Sequence, residues 1–216
     1  MPLGRFITLE GGEGAGKSTQ ARLLADALCA MGLPVLCTRE PGGAPGAEIL
    51  RGLLLNGGVD WSPPAEVLLH FAARAEHVEK TIRPALAAGM WVVCDRFFDS
   101  TLAYQGYGQG ADQGFIAAQI DLVGLTPDLT VLLDVSDAVG ASRLRKRGGA
   151  SDRYEQRNSA FHARVNAGFR AIAANAPARF VVVPAEQEIA AVQAAVWAAV
   201  TVWLPDSSSG GTSAFG

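Results

Sequence analysis

Residues 11–18 read Gly-Gly-Glu-Gly-Ala-Gly-Lys-Ser, a full match to the phosphate-loop pattern of glycine, any four residues, glycine, lysine, then serine or threonine. The apolar run Phe6-Ile7-Thr8-Leu9 precedes it, and Ala21, Leu24, Ala25 and Leu28 recur at helical spacing across residues 17–31 behind it. Strand, glycine turn and helix are the context such a loop needs. Glycine at 11, 12, 14 and 16 lets the backbone bend tightly and aim its N–H groups at phosphate oxygens, where a Cβ would hinder the turn. The helix opening near Lys17 adds its positive dipole end. The pattern predicts that Gly11, Gly12, Glu13, Gly14, Ala15, Gly16, Lys17 and Ser18 hold the phosphates of a nucleoside triphosphate, Lys17 bridging the β- and γ-phosphates and the Ser18 hydroxyl ligating Mg²⁺.

The rest of the chain alternates apolar runs with helical patterns. Strands are expected at 35–37, 91–94, 130–135 and 180–183, and helices at 47–55, 65–88, 137–146, 159–175 and beyond 189, with Pro63 and Pro64 at a helix N-terminus. Continuous apolar strands separated by helices indicate a five-stranded parallel sheet covered on both faces, the three-layer α/β fold of P-loop NTPases. With no linker or repeat, residues 1–204 form one expected domain. Residues 205–216, rich in Ser and Gly, have nothing to bury and are expected to be disordered.

At 49% hydrophobic residues, 18% charged and a net charge of −3, the chain has no global positive field for nucleic acid or an anionic membrane. Cys29, Cys37 and Cys94 form no CxxC pair, so neither a disulfide framework nor a zinc site is suggested, and Cys37 and Cys94 lie in apolar runs as small hydrophobes. Residues 189–204 are apolar but short of the ~20 needed to span a bilayer, and read as a buried helix. With no leader pattern at the N-terminus, a cytoplasmic location is expected.

Asn-Lys-x-Asp, the base-reading motif of GTPase switches, does not occur. Instead a second set of phosphate-handling residues does. Asp95-Arg96 ends the 91–94 strand, where an aspartate can hold Mg²⁺ through water and an arginine can grip a second phosphate. A strand-end ion pair is the alternative. Arg143, Arg145 and Arg147, followed by Gly148-Gly149 and then by Asp152-Arg153-Tyr154-Glu155, suit either a closing flap over about 143–155 or a solvated helix face.

These motifs together resemble the bacterial thymidylate kinase (dTMP kinase) family over about residues 6–204. Besides the phosphate loop, the resemblance is carried by Thr38-Arg39-Glu40-Pro41-Gly42-Gly43, Phe71-Ala72-Ala73-Arg74, Asp95-Arg96-Phe97, Ser100-Thr101-Leu102-Ala103-Tyr104-Gln105-Gly106 and Asp152-Arg153-Tyr154-Glu155. It implies a homodimer that transfers the γ-phosphate of ATP to dTMP. It also implies that Glu13 meets the 3′-hydroxyl of the acceptor sugar and that Phe71 stacks on thymine while Arg74 donates to a base oxygen. Arg39, Arg96 and Ser100 join Thr101, Gln105 and Tyr104 in the dTMP site, with the Tyr104 ring crowding the 2′ position. Some family members carry an arginine inside the phosphate loop; this chain has none there, so the transition-state arginines are expected from the flap, Arg147 and Arg153 ahead of Arg143 and Arg145. Lys17 and Arg96 complete the catalytic set, and Ser18 with Asp95 the metal set. Two rival readings are a kinase of another nucleoside monophosphate and a non-catalytic nucleotide-binding module.

Overall fold

The computed structural model describes residues 4–56, 58–148 and 152–204. Strands β1 (Phe6–Glu10), β2 (Val35–Arg39), β3 (Trp91–Asp95), β4 (Leu129–Asp134) and β5 (Phe180–Pro184) form one parallel sheet in the order β2-β3-β1-β4-β5. The helices are α1 (Lys17–Ala30), α2 (Pro45–Leu55), α3 (Pro63–His77), α4 (Arg83–Ala87), α5 (Phe98–Thr101), α6 (Gln113–Val123), α7 (Asp137–Arg147), α8 (Ser159–Asn175) and α9 (Ile189–Thr201). Between α3 and α4 the chain is π-helical over Val78–Ile82, and after α5 over Leu102–Gly108.

The period of two along each strand divides the core. Ile7, Leu9, Val93, Val131 and Leu133 face Leu24 and Leu28 of α1 and Val192, Val196 and Val200 of α9. Phe6, Val92 and Cys94 face Val67 and Phe71 of α3 together with Phe97 and Ile116, and Leu132 packs with Tyr104, Phe161, Val165 and Phe169. Buried hydroxyls on paired strands satisfy each other, Thr8 and Thr130 lying 2.9 Å apart at one register position. The register also sets Leu9 and Arg39 opposite Asp95, so the last residues of β1, β2 and β3 share one end of the sheet. Because the chain leaves β1 for one side and β3 for the other, a crevice opens there.

The expected fold class and all five strands are present; β1, β3 and β5 run one residue past the expected end, β2 runs two, and β4 is shifted one residue toward the N-terminus, leaving Val135 outside it. The 65–88 pattern is a continuous helical rod, α-helical at both ends and π-helical in its middle. Two expectations are corrected. The final helix is not buried: α9 inserts only the stripe Val192, Val196, Val200, and Ile189 is 59% exposed. Cys37 is exposed rather than packed, because β2 is an edge strand with one flank open, whereas Cys94 on the interior strand β3 is buried. Helix α6 and the helical stretch from Phe98 to Gly108 were not among the expected elements. Gly149 of the expected flap and the tail 205–216 lie outside the described residues.

Candidate active site

The phosphate loop departs from β1 through Gly11, Gly14 and Gly16, with φ of 140°, 72° and 91°. A Cβ on Gly14 would come within 2.3 Å of the Gly140 carbonyl oxygen, so glycine is required by space as well as by backbone angle. The Lys17 ammonium is buried and donates back to the Gly12 carbonyl at 2.7 Å. Burial, and next Arg96, pulls its pKa down to about 8 against the opposing pull of Glu13, Asp95 and Glu10. The Ser18 hydroxyl donates to the Asp95 carboxylate through Oδ2, and Asp95 Oδ1 is buried with no protein partner.

Arg96 is the one non-glycine residue with positive φ, 72°, among the described residues. Held in that sparsely populated region, its side chain turns back across the loop. Its guanidinium donates to Glu13 Oε1 at 2.7 Å, the Tyr104 hydroxyl at 3.1 Å, Ser100 Oγ at 3.1 Å and the Gly11 carbonyl at 3.3 Å. Tyr104 in turn donates to Glu13 at 2.6 Å. Burial alone would raise the Glu13 pKa, but Arg96, Lys17 and the Tyr104 hydroxyl outweigh it and hold the carboxyl at about 2. Beneath them, buried Glu10 accepts from the Phe97 backbone N–H at 2.7 Å and from the Ser100 hydroxyl at 2.6 Å, pinning the turn after β3.

A second network braces the wall formed by α3. Glu40 accepts from Arg74 Nε at 2.8 Å and pairs with His77 Nδ1 at 3.0 Å, while Arg74 Nη2 donates to Thr101 at 3.2 Å. Arg74 Nη1 is buried without a partner. Phe71 does not reach the cavity. It is 4% exposed and packs in the core, its ring 4.6 Å from the Arg74 guanidinium carbon. The α3 residue that lines the cavity beside Arg74 is His70, whose Nε2 lies 2.9 Å from the Tyr154 hydroxyl.

Arg39 lines the cavity and pairs with Glu48 at 3.1 Å; Arg51, to which no motif pointed, joins it there and donates to the Pro41 carbonyl at 2.6 Å. A lone cation in the mostly apolar helical run 47–55 was the available signal. The flap arginines separate. Arg147 lines the cavity and pairs with Glu155 at 2.7 Å, and Arg143 lines it while donating to the Ala185 carbonyl at 2.7 Å. Arg145 is exposed on the far side of α7. Arg153 is turned away as well: its guanidinium donates to buried Glu66 at 2.7 Å, a tie that keeps it off the cavity wall. The sequence could not show that pairing, because the partners are 87 positions apart.

One cavity of about 700 Å³ connects these groups, running from Ile189 and Val192 past the phosphate loop to His70, Arg74 and Gln105. Lys17, Arg39, Arg51, Arg74, Arg96, Arg143 and Arg147 all line it. Residues 9–196 match the family model for thymidylate kinase. The chain is 58% identical to the thymidylate kinase of Gluconobacter oxydans over 91% of its own length and 94% of that protein's. The chain belongs to the thymidylate kinase family. The thymidylate kinase of Caulobacter vibrioides is 54% identical over 91% and 95% of the two chains. The solved thymidylate kinase of Ehrlichia chaffeensis superposes with a TM-score of 0.74 at 38% identity, covering 91% of this chain and 98% of that one. As a thymidylate kinase the chain is an enzyme, a phosphotransferase that uses ATP as its donor, and among its described residues no helix is long and apolar enough to cross a membrane.

Proposed function

We propose that this thymidylate kinase moves the γ-phosphoryl group of ATP to dTMP in one in-line displacement, with both nucleotides in the single cavity. An oxygen of the dTMP phosphate bonds to the γ-phosphorus as the bond to the β,γ-bridging oxygen breaks, and ADP leaves with that electron pair. The acceptor oxygen is already ionised near neutral pH, so no general base is needed and catalysis is positioning plus charge neutralisation. The observation that carries this reading is the Glu13–Arg96–Tyr104 cluster, which ties the donor loop to the acceptor wall through one carboxylate.

Lys17 and the backbone N–H groups of the loop cradle the donor phosphates. Arg96 reaches both phosphates, Arg39 and Arg51 neutralise the acceptor phosphate, and Arg147, swinging from Glu155, supplies charge to the transferred group. Glu13 accepts from the 3′-hydroxyl, and Tyr104 fills the space a 2′-hydroxyl would need. Arg74 donates its unpartnered Nη1 to a base carbonyl, with Thr101, Gln105 and His70 beside it. Mg²⁺ fits the residues present, since the Ser18 hydroxyl and the unpartnered Asp95 Oδ1 offer hard oxygen donors, directly or through water. Bound with ATP, the ion neutralises charge on the β- and γ-oxygens. Three free thiols fit a reducing cytoplasm. Exposed Ile49 and Leu53 of α2 with Leu68 of α3 offer an apolar face for a homodimer.

The test is stereochemical. ATP made chiral at its γ-phosphorus with oxygen isotopes and sulfur is expected to give product with inverted configuration, the outcome of a single displacement. Retention would mean two displacements through a phosphorylated side chain, and would reject direct transfer.

A further inference from the structure

Glu66 lies in the first turn of α3 and is fully buried, yet four side chains converge on its carboxylate. Oε1 accepts from Gln105 Nε2 at 2.8 Å, Gln109 Nε2 at 2.7 Å and the Tyr154 hydroxyl at 2.7 Å, and Oε2 from Arg153 Nη2 at 2.7 Å. A carboxylate paired with a guanidinium accepts hydrogen bonds and donates none. The Gln105 amide must therefore turn its nitrogen toward Glu66, and Tyr154 must direct its hydroxyl proton there too.

Both constraints reach the cavity that Gln105, His70 and Arg74 line. With its nitrogen held by Glu66, the atom Gln105 has left for the cavity is the carbonyl oxygen, an acceptor. The Tyr154 oxygen, its proton directed at Glu66, accepts from His70 Nε2 at 2.9 Å. Burial, with Arg74, Arg153 and Arg96 behind it, pushes the His70 pKa down to about 3, so the ring is neutral. Its proton then resides on Nε2, and Nδ1 is a second acceptor. Arg74 supplies the opposite polarity: Nε is engaged by Glu40 and Nη2 by Thr101, leaving Nη1 as a donor.

We propose that Glu66 is a positioning residue for base selection: by fixing the Gln105 amide and the His70 tautomer, it presents acceptors to a ring N–H and a donor to the adjacent carbonyl. That pattern matches a pyrimidine with N3–H and O4, as in thymine and uracil, and opposes cytosine, whose N3 accepts and whose 4-amino group donates. The inference rests on the reading of this cavity as the dTMP site.

The experiment compares kcat/KM for dTMP with kcat/KM for dCMP in the wild type, Glu66→Gln and Arg153→Lys. A glutamine at this position can turn its own NH₂ toward Gln105 and release that amide to rotate. Glu66→Gln is expected to lower the dTMP/dCMP ratio by about tenfold or more, with KM for ATP little changed. Arg153→Lys keeps a cation beside Oε2 and the three Oε1 donors, and should leave the ratio within about twofold. If Glu66 only braces the fold, both acceptors lose kcat/KM together in Glu66→Gln and the ratio stands, which overturns the proposal. Should that variant not fold, the wild-type Gln105 side-chain amide is followed by NMR, assigned against Gln105→Leu. Protection from solvent exchange unaltered by dTMP is expected; protection gained only on adding dTMP would place the nitrogen against the base and overturn it equally. A wild type that forms no dTDP would instead remove the reading of the site beneath it.

Discussion

Replacing Lys17 with methionine is expected to lower kcat by about a thousandfold, the scale set by loss of a cation at a transferring phosphoryl group. The ammonium sits where the loop and α1 meet, and its bond to the Gly12 carbonyl holds it over the loop until phosphates compete for it. Burial disfavours its charge in the ligand-free protein, which is why its pKa lies near 8 rather than 10.5. For a cationic group lowered in this way the unfolded chain binds the extra proton more readily. The penalty is therefore present in full below pH 8 and disappears as pH rises from about 8 toward 10.5. Methionine fills the same space without the charge, so thermal unfolding at pH 7 should occur at the wild-type temperature or above it while turnover is lost. Loss of turnover together with a lower unfolding temperature would mean that Lys17 is structural.

Arg96→Ala is expected to reduce kcat/KM for dTMP by a comparable factor, about a thousandfold, for a different reason. Its guanidinium joins Glu13, Tyr104, Ser100 and the Gly11 carbonyl, so its removal loosens the donor loop and the acceptor wall together. It also strips Glu13 of the largest influence lowering its pKa, and that carboxylate loses its fixed place. The backbone permits a control. Alanine at φ 72° keeps the strain that arginine bears and glycine does not, so Arg96→Gly should be more stable than Arg96→Ala by about 1 kcal/mol and equally inactive. Denaturant unfolding of the pair, beside steady-state kinetics, checks both statements.

The phosphate loop was legible because its glycines answer a backbone demand that composition displays directly: Gly11, Gly14 and Gly16 all adopt positive φ. The three interior strands were legible because a parallel sheet buried on both faces writes each as a near-continuous apolar run, and the half-exposed edge strands β2 and β5 still carry short apolar runs. Helix α6 was not. Ile116, Ile120 and Val123 recur at i, i+4 and i+7 and pack against the core, but Ala117, Ala118 and the exposed Leu122 spread apolar residues round the rest of the helix and blur that stripe. Its ends carry the clearer signals: Asp112 caps the start by accepting from the Phe115 N–H, and Gly124 ends it. Phe71 illustrates a different limit. At about 100° per residue, positions 70 and 71 lie roughly 40° and 60° to either side of Arg74, so spacing alone could not say which shares the cavity. Packing decided it, sending the phenyl ring to the core and the imidazole to the opening. Arg153 and Glu66, like Arg179 and Asp99, pair across distant sequence, and nothing local announces either bond.

Whether this cavity brings ATP and dTMP together for phosphoryl transfer is tested most directly by product analysis. The purified chain is incubated with ATP and Mg²⁺ against dTMP, dUMP, dCMP, AMP and GMP in turn, and the products are resolved by ³¹P NMR. ADP and dTDP in equal amounts are predicted with dTMP, and far slower transfer to dCMP, AMP and GMP. ATP consumed without dTDP, or AMP phosphorylated in preference to dTMP, would contradict it.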